Sequence, residues 1–500
     1  MPPTKPPTAE QGHADSSATD FSAVDGEPAE SPARPGLGAR LRRLVRLRDR
    51  TWKSWTAFAV VVLLVLGAAG VLAGTTLFAR SEPAFDAVPP KIALGPLSFD
   101  APIPTESGVS AELEKPAGVP QLGKLTGEVF DANTGQRLWS RDPDKPMAPG
   151  STNKILTMAA VLLTMDPGSH LTTKVVAGPS PDSVVLVGGG DPSLSSLPNG
   201  SESVYTGAAK LANLAEMVKV AHPGPIRSVL VDTSLFAGEG MAPGWDKVDI
   251  QDGNFTPIGS LILDGGRSKP AERDPPRTAT PATDAGKKLA ELLGADTTTI
   301  AQTTAAPNAA ELGRVTSPSI SDLVENTLRI SDNVLAEALA RHVAIAKGDE
   351  PSFAGAAKAV QDVLSAEGFT VTGAELVDGS GLSTEDKIPA SLLGQVMRAA
   401  AGPDSDPRAA RLRPLLAGLP VAGGDGTLQT RFDDDASSEG KGWVRAKTGT
   451  LTGVSALAGT VVDDDGRLLT FAFMSGGTSP ADSRPRLDAL ASVLRGCGCR

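Results

Sequence analysis

The sequence predicts an α/β (α+β) fold with an inserted β-rich module, preceded by a disordered arm and one transmembrane helix. Three observations carry that prediction. Apolar residues recur with helical spacing and strand alternation over residues 121–170, and do so again over 315–496. Between them, residues 171–314 show short strand-like runs separated by turns, the mark of a separate module. Far upstream, residues 55–79 carry no charge and follow a basic run.

Residues 1–39 are rich in Pro, Ala, Ser and acidic side chains, hold too little apolar surface to fold, and are expected to be disordered. Residues 40–54 form a basic juxtamembrane segment in which Arg40, Arg42, Arg43, Arg46, Arg48, Arg50 and Lys53 are opposed by Asp49. Residues 55–79 are long enough to cross a hydrocarbon core of about 30 Å. The basic flank would stay cytoplasmic and everything after Arg80 would lie outside. A cleaved signal peptide is the alternative, atypical because of the long segment before it. Residues 80–120 contain several prolines and few periodic apolar positions, which predicts an extended linker.

Regular structure is expected from Leu122. Two strands joined by a turn at 131–135 fit residues 124–139. A helix follows the Pro149-Gly150 turn and runs to about Met165, with Ser151 in its first turn. In the module, strands are expected at 173–176, 183–187 and 228–231, and helices at 207–221 and within 281–310. Further helices fit 320–330, 333–346, 353–367 and 389–401. Strands fit 442–448, 454–462 and 468–474, with Asp463-Asp464-Asp465-Gly466 as a hairpin turn. A last helix sets Leu487, Leu490, Ala491 and Leu494 on one face and stops at Gly496.

The formal net charge of −11 argues against nucleic acid as the main partner. The two cysteines, Cys497 and Cys499, allow no disulfide framework or cysteine-rich zinc site, and a solvated tail is expected there. The four histidines, His13, His170, His222 and His342, lack metal-ligand spacing.

The chemistry sits in three short motifs. On a helix, residues three apart share a face, so Ser151 and Lys154 can touch. A serine hydroxyl attacks well once a neighbour takes its proton, and a neutral lysine can do so. S-x-x-K occurs again at Ser438–Lys441, but in an acidic, turn-rich loop with no helix to hold the pair, so that match is accidental. Ser331-Asp332-Asn333 lies between two expected helices, and Lys447-Thr448-Gly449 ends an expected strand. Order and context agree across the set, which is far more specific than any one match. Other serine mechanisms fit less well. No serine has the G-x-S-x-G setting, and none of His170, His222 or His342 lies in a recognisable triad motif.

With these motifs the sequence resembles the class C low-molecular-mass penicillin-binding proteins, D-alanyl-D-alanine carboxypeptidases/endopeptidases of the penicillin-binding protein 4 (DacB) type. The resemblance spans roughly residues 123–495 and includes Val187-Gly-Gly-Gly-Asp-Pro-Ser-Leu194, Ser228 to Phe236, Met241-Ala-Pro-Gly-Trp-Asp246, Asp378-Gly-Ser-Gly-Leu-Ser383 and Leu419 to Leu428. It implies a serine β-lactamase/transpeptidase-like domain acting on peptidoglycan stem peptides, with β-lactams as inhibitors and no metal or cofactor. Ser151 would attack the penultimate D-alanine carbonyl and Lys154 would be its base, lowered in pKa by burial and by Lys447. Ser331 would relay a proton to the leaving amine, and Asn333 would hold Lys154 and a substrate amide. Lys447 and Thr448 would bind the terminal carboxylate, and Gly449 would let the substrate backbone lie against the strand. The N–H groups of Ser151 and Thr450 would hold the oxyanion. A β-lactamase-like hydrolase and a non-catalytic membrane-anchored wall-binding protein are the alternatives. Many relatives are secreted, so the anchor is a departure.

Overall fold

The computed structural model describes residues 101–499. The expected arm, basic segment and transmembrane stretch (1–79), and the start of the linker, lie outside the described residues. Among the described residues no helix is long and apolar enough to cross a membrane.

The linker expectation is corrected where the structure begins. Helix α1 (Glu106–Ala117) is capped by Thr105, whose side chain accepts from Gly108 N. It buries Val109, Leu113 and Ala117, one residue per turn, a stripe too narrow to read as an amphipathic period. Strands β1 (Lys124–Asp131) and β2 (Arg137–Arg141) form the expected hairpin. A 3-10 turn, Gly150–Thr152, leads into α2 (Asn153–Thr164), which is buried along almost all its length. Then come β3 (His170–Ala177), β4 (Ser183–Val187), α3 (Leu211–Ala221), β5 (Ser228–Asp232), α4 (Pro281–Leu293), β6 (Ala301–Gln302) and β7 (Glu311–Ser319). Four longer helices follow, α5 (Ile320–Ile330), α6 (Asn333–Lys347), α7 (Phe353–Ala366) and α8 (Ala390–Ala401). Strands β8 (Arg445–Leu451), β9 (Val454–Val462) and β10 (Leu468–Gly476) and helix α9 (Pro480–Arg495) complete the chain.

The first sheet has the order β2-β1-β10-β9-β8 and is antiparallel throughout. Alternation sends Ala456, Ala458, Ala472 and Met474 into one core, under α2 and α5 to α8. Leu457, Phe471 and Phe473 enter a second core, under α1 and α9. The sheet is thus covered by helices on both faces, and β8, bridged at Arg445 by Val421, forms the edge beside the start of α2.

The inserted module folds around its own sheet, ordered β6-β5-β4-β3-β7. Strands β4, β5 and β6 are parallel, joined by α3 and α4, so the module is α/β rather than simply β-rich. Its sheet also runs past residue 314, because β7 pairs antiparallel with β3 as far as Ser319. Gly313, Pro318 and a scarcity of large apolar residues hide this edge strand from the sequence pattern. The C-terminus departs from expectation too. Cys497 and Cys499 are joined by a disulfide. Cys497 is buried against the second core, and Thr105 N donates to the Cys499 carbonyl at 2.8 Å.

Candidate active site

Four chain segments converge at the β8 edge of the first sheet. Gly150 has φ +52°, a left-handed conformation that favours glycine, and a Cβ there would sit 2.7 Å from Thr450 N. The turn therefore lies directly against β8. It presents Ser151, partly exposed, to a cavity of about 850 Å3 that Ser331, Asn333, Thr448, Thr450 and Arg484 also line.

Lys154 follows one turn later and is fully buried. Its Nζ lies 2.9 Å from Ser151 Oγ, 2.6 Å from Asn333 Oδ1 and 2.7 Å from the Ser380 carbonyl. Burial pulls its pKa from 10.5 down to about 8, against the opposing pull of Asp378, Glu337, Asp332 and Asp386. The expected contribution of Lys447 falls the other way. Lys447 is itself held well below its ordinary value, first by burial and then by the charge of Lys154.

The Ser331-Asp332-Asn333 turn joins two helices with no spare residue. Ser331 ends α5 in the left-handed region at φ 61°, uncommon for a residue with a side chain. Asp332 then caps α6 by accepting from Leu335 N at 2.8 Å. This reversal turns Ser331 and Asn333 toward the cavity and sends Asp332 inward.

Strand β8 supplies Lys447, Thr448, Gly449 and Thr450. Lys447 is fully buried, and its Nζ donates to Ser331 Oγ and to the Thr448 carbonyl, both at 2.9 Å. Its Nζ thus stands behind the site. Thr448, Thr450 and Arg484 line the cavity where a carboxylate could bind, with Arg273 and Arg431 on the same wall. Gly449 lies directly against the protein's own chain, since a Cβ there would collide with the Pro149 carbonyl.

Two groups of site residues had no assigned role in the sequence. One is the loop from Asp378. Its carboxylate accepts from the N–H groups of Ser380, Gly381 and Ser383 and from Trp245 Nε1, and so fixes the Ser380 carbonyl under Lys154. Both Glu337 carboxylate oxygens accept from Gly379 N at 3.0 Å. Burial pushes Glu337 up to about 8 and Asp386 up to about 9, and Asp378 adds to both. The Asp-Gly-Ser-Gly spacing is the local signal of that turn. The other is Arg484, whose Nε donates to Thr450 Oγ1 at 3.2 Å, beside Arg431, which is paired with Asp488. No local pattern marks it. The remaining candidates stay apart from the cavity. His170, His222 and His342 bond backbone carbonyls, and Lys441 pairs with Asp433.

The chain matches a family model described as D-Ala-D-Ala carboxypeptidase 3 (S13) over residues 109–275 and 273–496. A carboxypeptidase of Mycobacterium tuberculosis is 45% identical over 416 residues, which cover 82% of this chain and 89% of that protein. Carboxypeptidase DacB of Mycolicibacterium smegmatis is 42% identical over 464 residues, covering 91% and 100%. Among solved structures, penicillin binding protein 4 (dacB) from Haemophilus influenzae aligns with a TM-score of 0.61 at 20% identity, covering 78% of this chain and 98% of that one. This last likeness establishes the fold.

Proposed function

The chain belongs to the D-Ala-D-Ala carboxypeptidase 3 (S13) family, and on that premise we propose that it releases the terminal D-alanine of peptidoglycan stem peptides through an acyl-enzyme on Ser151. One observation carries the assignment of roles. Of the three partners around Lys154 Nζ, the Ser380 carbonyl and Asn333 Oδ1 can only accept, whereas Ser151 Oγ can also donate. A neutral Lys154 gives its two N–H bonds to the first two, which aims its lone pair at the Ser151 hydroxyl.

Lys154 takes the Ser151 proton as Oγ adds to the penultimate carbonyl. The N–H groups of Ser151 and Thr450 face the developing oxyanion. As the C–N bond breaks, Ser331 passes its proton to the leaving amine and takes another from Lys447 Nζ, and the proton on Lys154 then returns to Lys447, which leaves Lys154 neutral again. Thr448, Thr450 and Arg484 receive the terminal carboxylate, with the charge of Lys447 behind them. Water then enters as nucleophile, Lys154 takes its proton, and as the ester is cleaved Lys154 returns that proton to Ser151 Oγ. A β-lactam enters by the same acylation and inhibits. Cross-linked peptides are a second substrate class, which the open cavity of about 850 Å3 favours.

The basic run at 40–54 followed by the charge-free stretch 55–79 supports a single-pass anchor, with the N-terminus cytoplasmic and the catalytic part outside. Cleavage of that segment would release a secreted form.

The deciding experiment is intact-mass and gel detection of a fluorescent penicillin adduct. Native protein gains one adduct, and Ser151→Ala, folded by circular dichroism, gains none. Labelling of Ser151→Ala would sink the assignment.

A further inference from the structure

Asp332 takes no part in the chemistry proposed above, yet its buried carboxylate accepts four hydrogen bonds. One comes from Leu335 N, the ordinary helix cap. The other three come from the inserted module. Tyr205 donates its hydroxyl at 3.1 Å, Arg277 approaches at 3.2 Å and Arg267 is closer still. Burial pulls the Asp332 carboxyl up, but the two guanidiniums outweigh it and hold the group far below the usual carboxylate range.

Both arginines are themselves fixed. Arg277 donates to the carbonyls of Gly253 at 2.8 Å and Gly265 at 2.7 Å. Arg267 donates to the Arg273 carbonyl at 2.9 Å and the Tyr205 hydroxyl at 2.6 Å, with its guanidinium 5.0 Å from the Tyr205 ring centre. Beside Gly253, the Asn254 carbonyl accepts from Asn333 Nδ2 at 3.0 Å. That bond fixes which end of the amide is free, so that Oδ1 meets Lys154.

Burying two guanidiniums and a carboxylate gains little stability over apolar packing of the same volume. What the cluster does secure is position. Ser331 sits in a disfavoured backbone region, and a shift of about 1 Å at a reacting group can cost about a hundredfold in rate.

We infer that the inserted module is a positioning element of the catalytic centre. Arg267, Arg277 and Tyr205 clamp Asp332, the Asn254 carbonyl orients Asn333, and together they fix Ser331 and Asn333 opposite Ser151. This inference rests on the acylation reading above.

The test compares Arg277→Met, Arg277→Lys and Tyr205→Phe by stopped-flow acylation with a fluorescent penicillin. It separates the rate constant of the labelling molecules from the fraction that labels. Arg277→Met is expected to lower the acylation rate constant about 10- to 100-fold, with pre-covalent affinity changed less than about threefold. Arg277→Lys recovers part of the loss. Tyr205→Phe, which keeps the ring and is the milder change, loses about three- to tenfold. A reduced labelling fraction with an unchanged rate constant would mean a merely structural role and overturn the inference. So would a native rate in folded Arg277→Met and Tyr205→Phe, or failure of even Tyr205→Phe to fold. Hydrogen exchange gives a readout independent of activity. Faster exchange at Leu335 N in Arg277→Met is expected, and unchanged exchange overturns the inference. Native protein that fails to label sinks the acylation reading instead.

Discussion

The pKa of Lys154 sets how the rate of acylation must vary with pH. A lysine at its ordinary value of 10.5 would be neutral in about one molecule in 3000 at pH 7, and at about 8 it is neutral in about one in ten. Burial therefore raises the competent fraction about 300-fold, equivalent to about 3.4 kcal/mol. The base is the neutral form, so the acylation rate constant climbs as pH rises toward the folded-state value. Single-turnover acylation by a fluorescent penicillin from pH 5.5 to 9.5 should rise about tenfold per unit and level off above about 8. The unfolded chain holds the proton more tightly, so folded stability is gained between about 8 and 10.5, and the full penalty is present below 8. Lys154→Arg keeps a positive charge that cannot be given up and should remain inactive across the range. A flat profile, a rise that continues to pH 10, or an active Lys154→Arg would refute the assignment of Lys154 as base.

Gly449→Ala drives a methyl into the Pro149 carbonyl; acylation should fall at least about tenfold, with a stability loss of about 1–3 kcal/mol in denaturant melts. Arg484→Gln removes a guanidinium from the cavity wall; KM for a D-Ala-D-Ala peptide should rise about tenfold with kcat nearly unchanged, as steady-state release of D-alanine will show. Asp332→Asn leaves two buried guanidiniums without a counter-charge and should cost about 3–5 kcal/mol at pH 7. Because the folded pKa of Asp332 is depressed, its contribution is present above about pH 4 and is lost as pH falls further, so the acid limb of the melting curve should flatten in that variant. Lys447→Met removes the donor behind Ser331; acylation by an amide substrate should fall about 100-fold or more, and by a thioester substrate much less, since a thiolate needs no proton to leave.

The sequence was informative where one residue type has one job. Helix α5 and strands β4 and β9 have the expected bounds, because their apolar periods are clean and capping or turn residues flank them. Ser151, Lys154, Ser331, Asn333 and Thr448 could be named because the three motifs keep their spacing, and the structure brings these residues together. Helix α1 and strand β7 escaped notice because each has few buried apolar residues and depends on tertiary contacts for its place. Arg267, Arg277 and Asp378 are harder still. A charged residue in sequence reads as surface, and only the fold shows that its partner, Asp332 for the two arginines and Trp245 for Asp378, lies far away in the chain. Gly449 and Lys447 lie at the site as the motif placed them, but what each can do depends on which side of β8 it faces.

The two buried lysines are best understood as one system. Each faces a serine, Lys154 with Ser151 and Lys447 with Ser331, both at 2.9 Å. Each ammonium would be costly where it lies, and the charge of Lys154 makes Lys447 costlier still. On the proposed mechanism, Lys154 becomes charged at the moment Ser151 attacks. That new charge weakens the hold of Lys447 on its own proton just when the leaving amine needs one, and Ser331 stands on the path between them. The carboxylates around Lys154 bear on the same balance. Asp378 and Asp332 favour the proton on Lys154, so the pair moves toward Lys154 charged and Lys447 neutral as Ser151 attacks. Proton uptake at one lysine and release at the other then need no net change of charge around the two buried ammonium groups, which keeps the electrostatic cost of each step low.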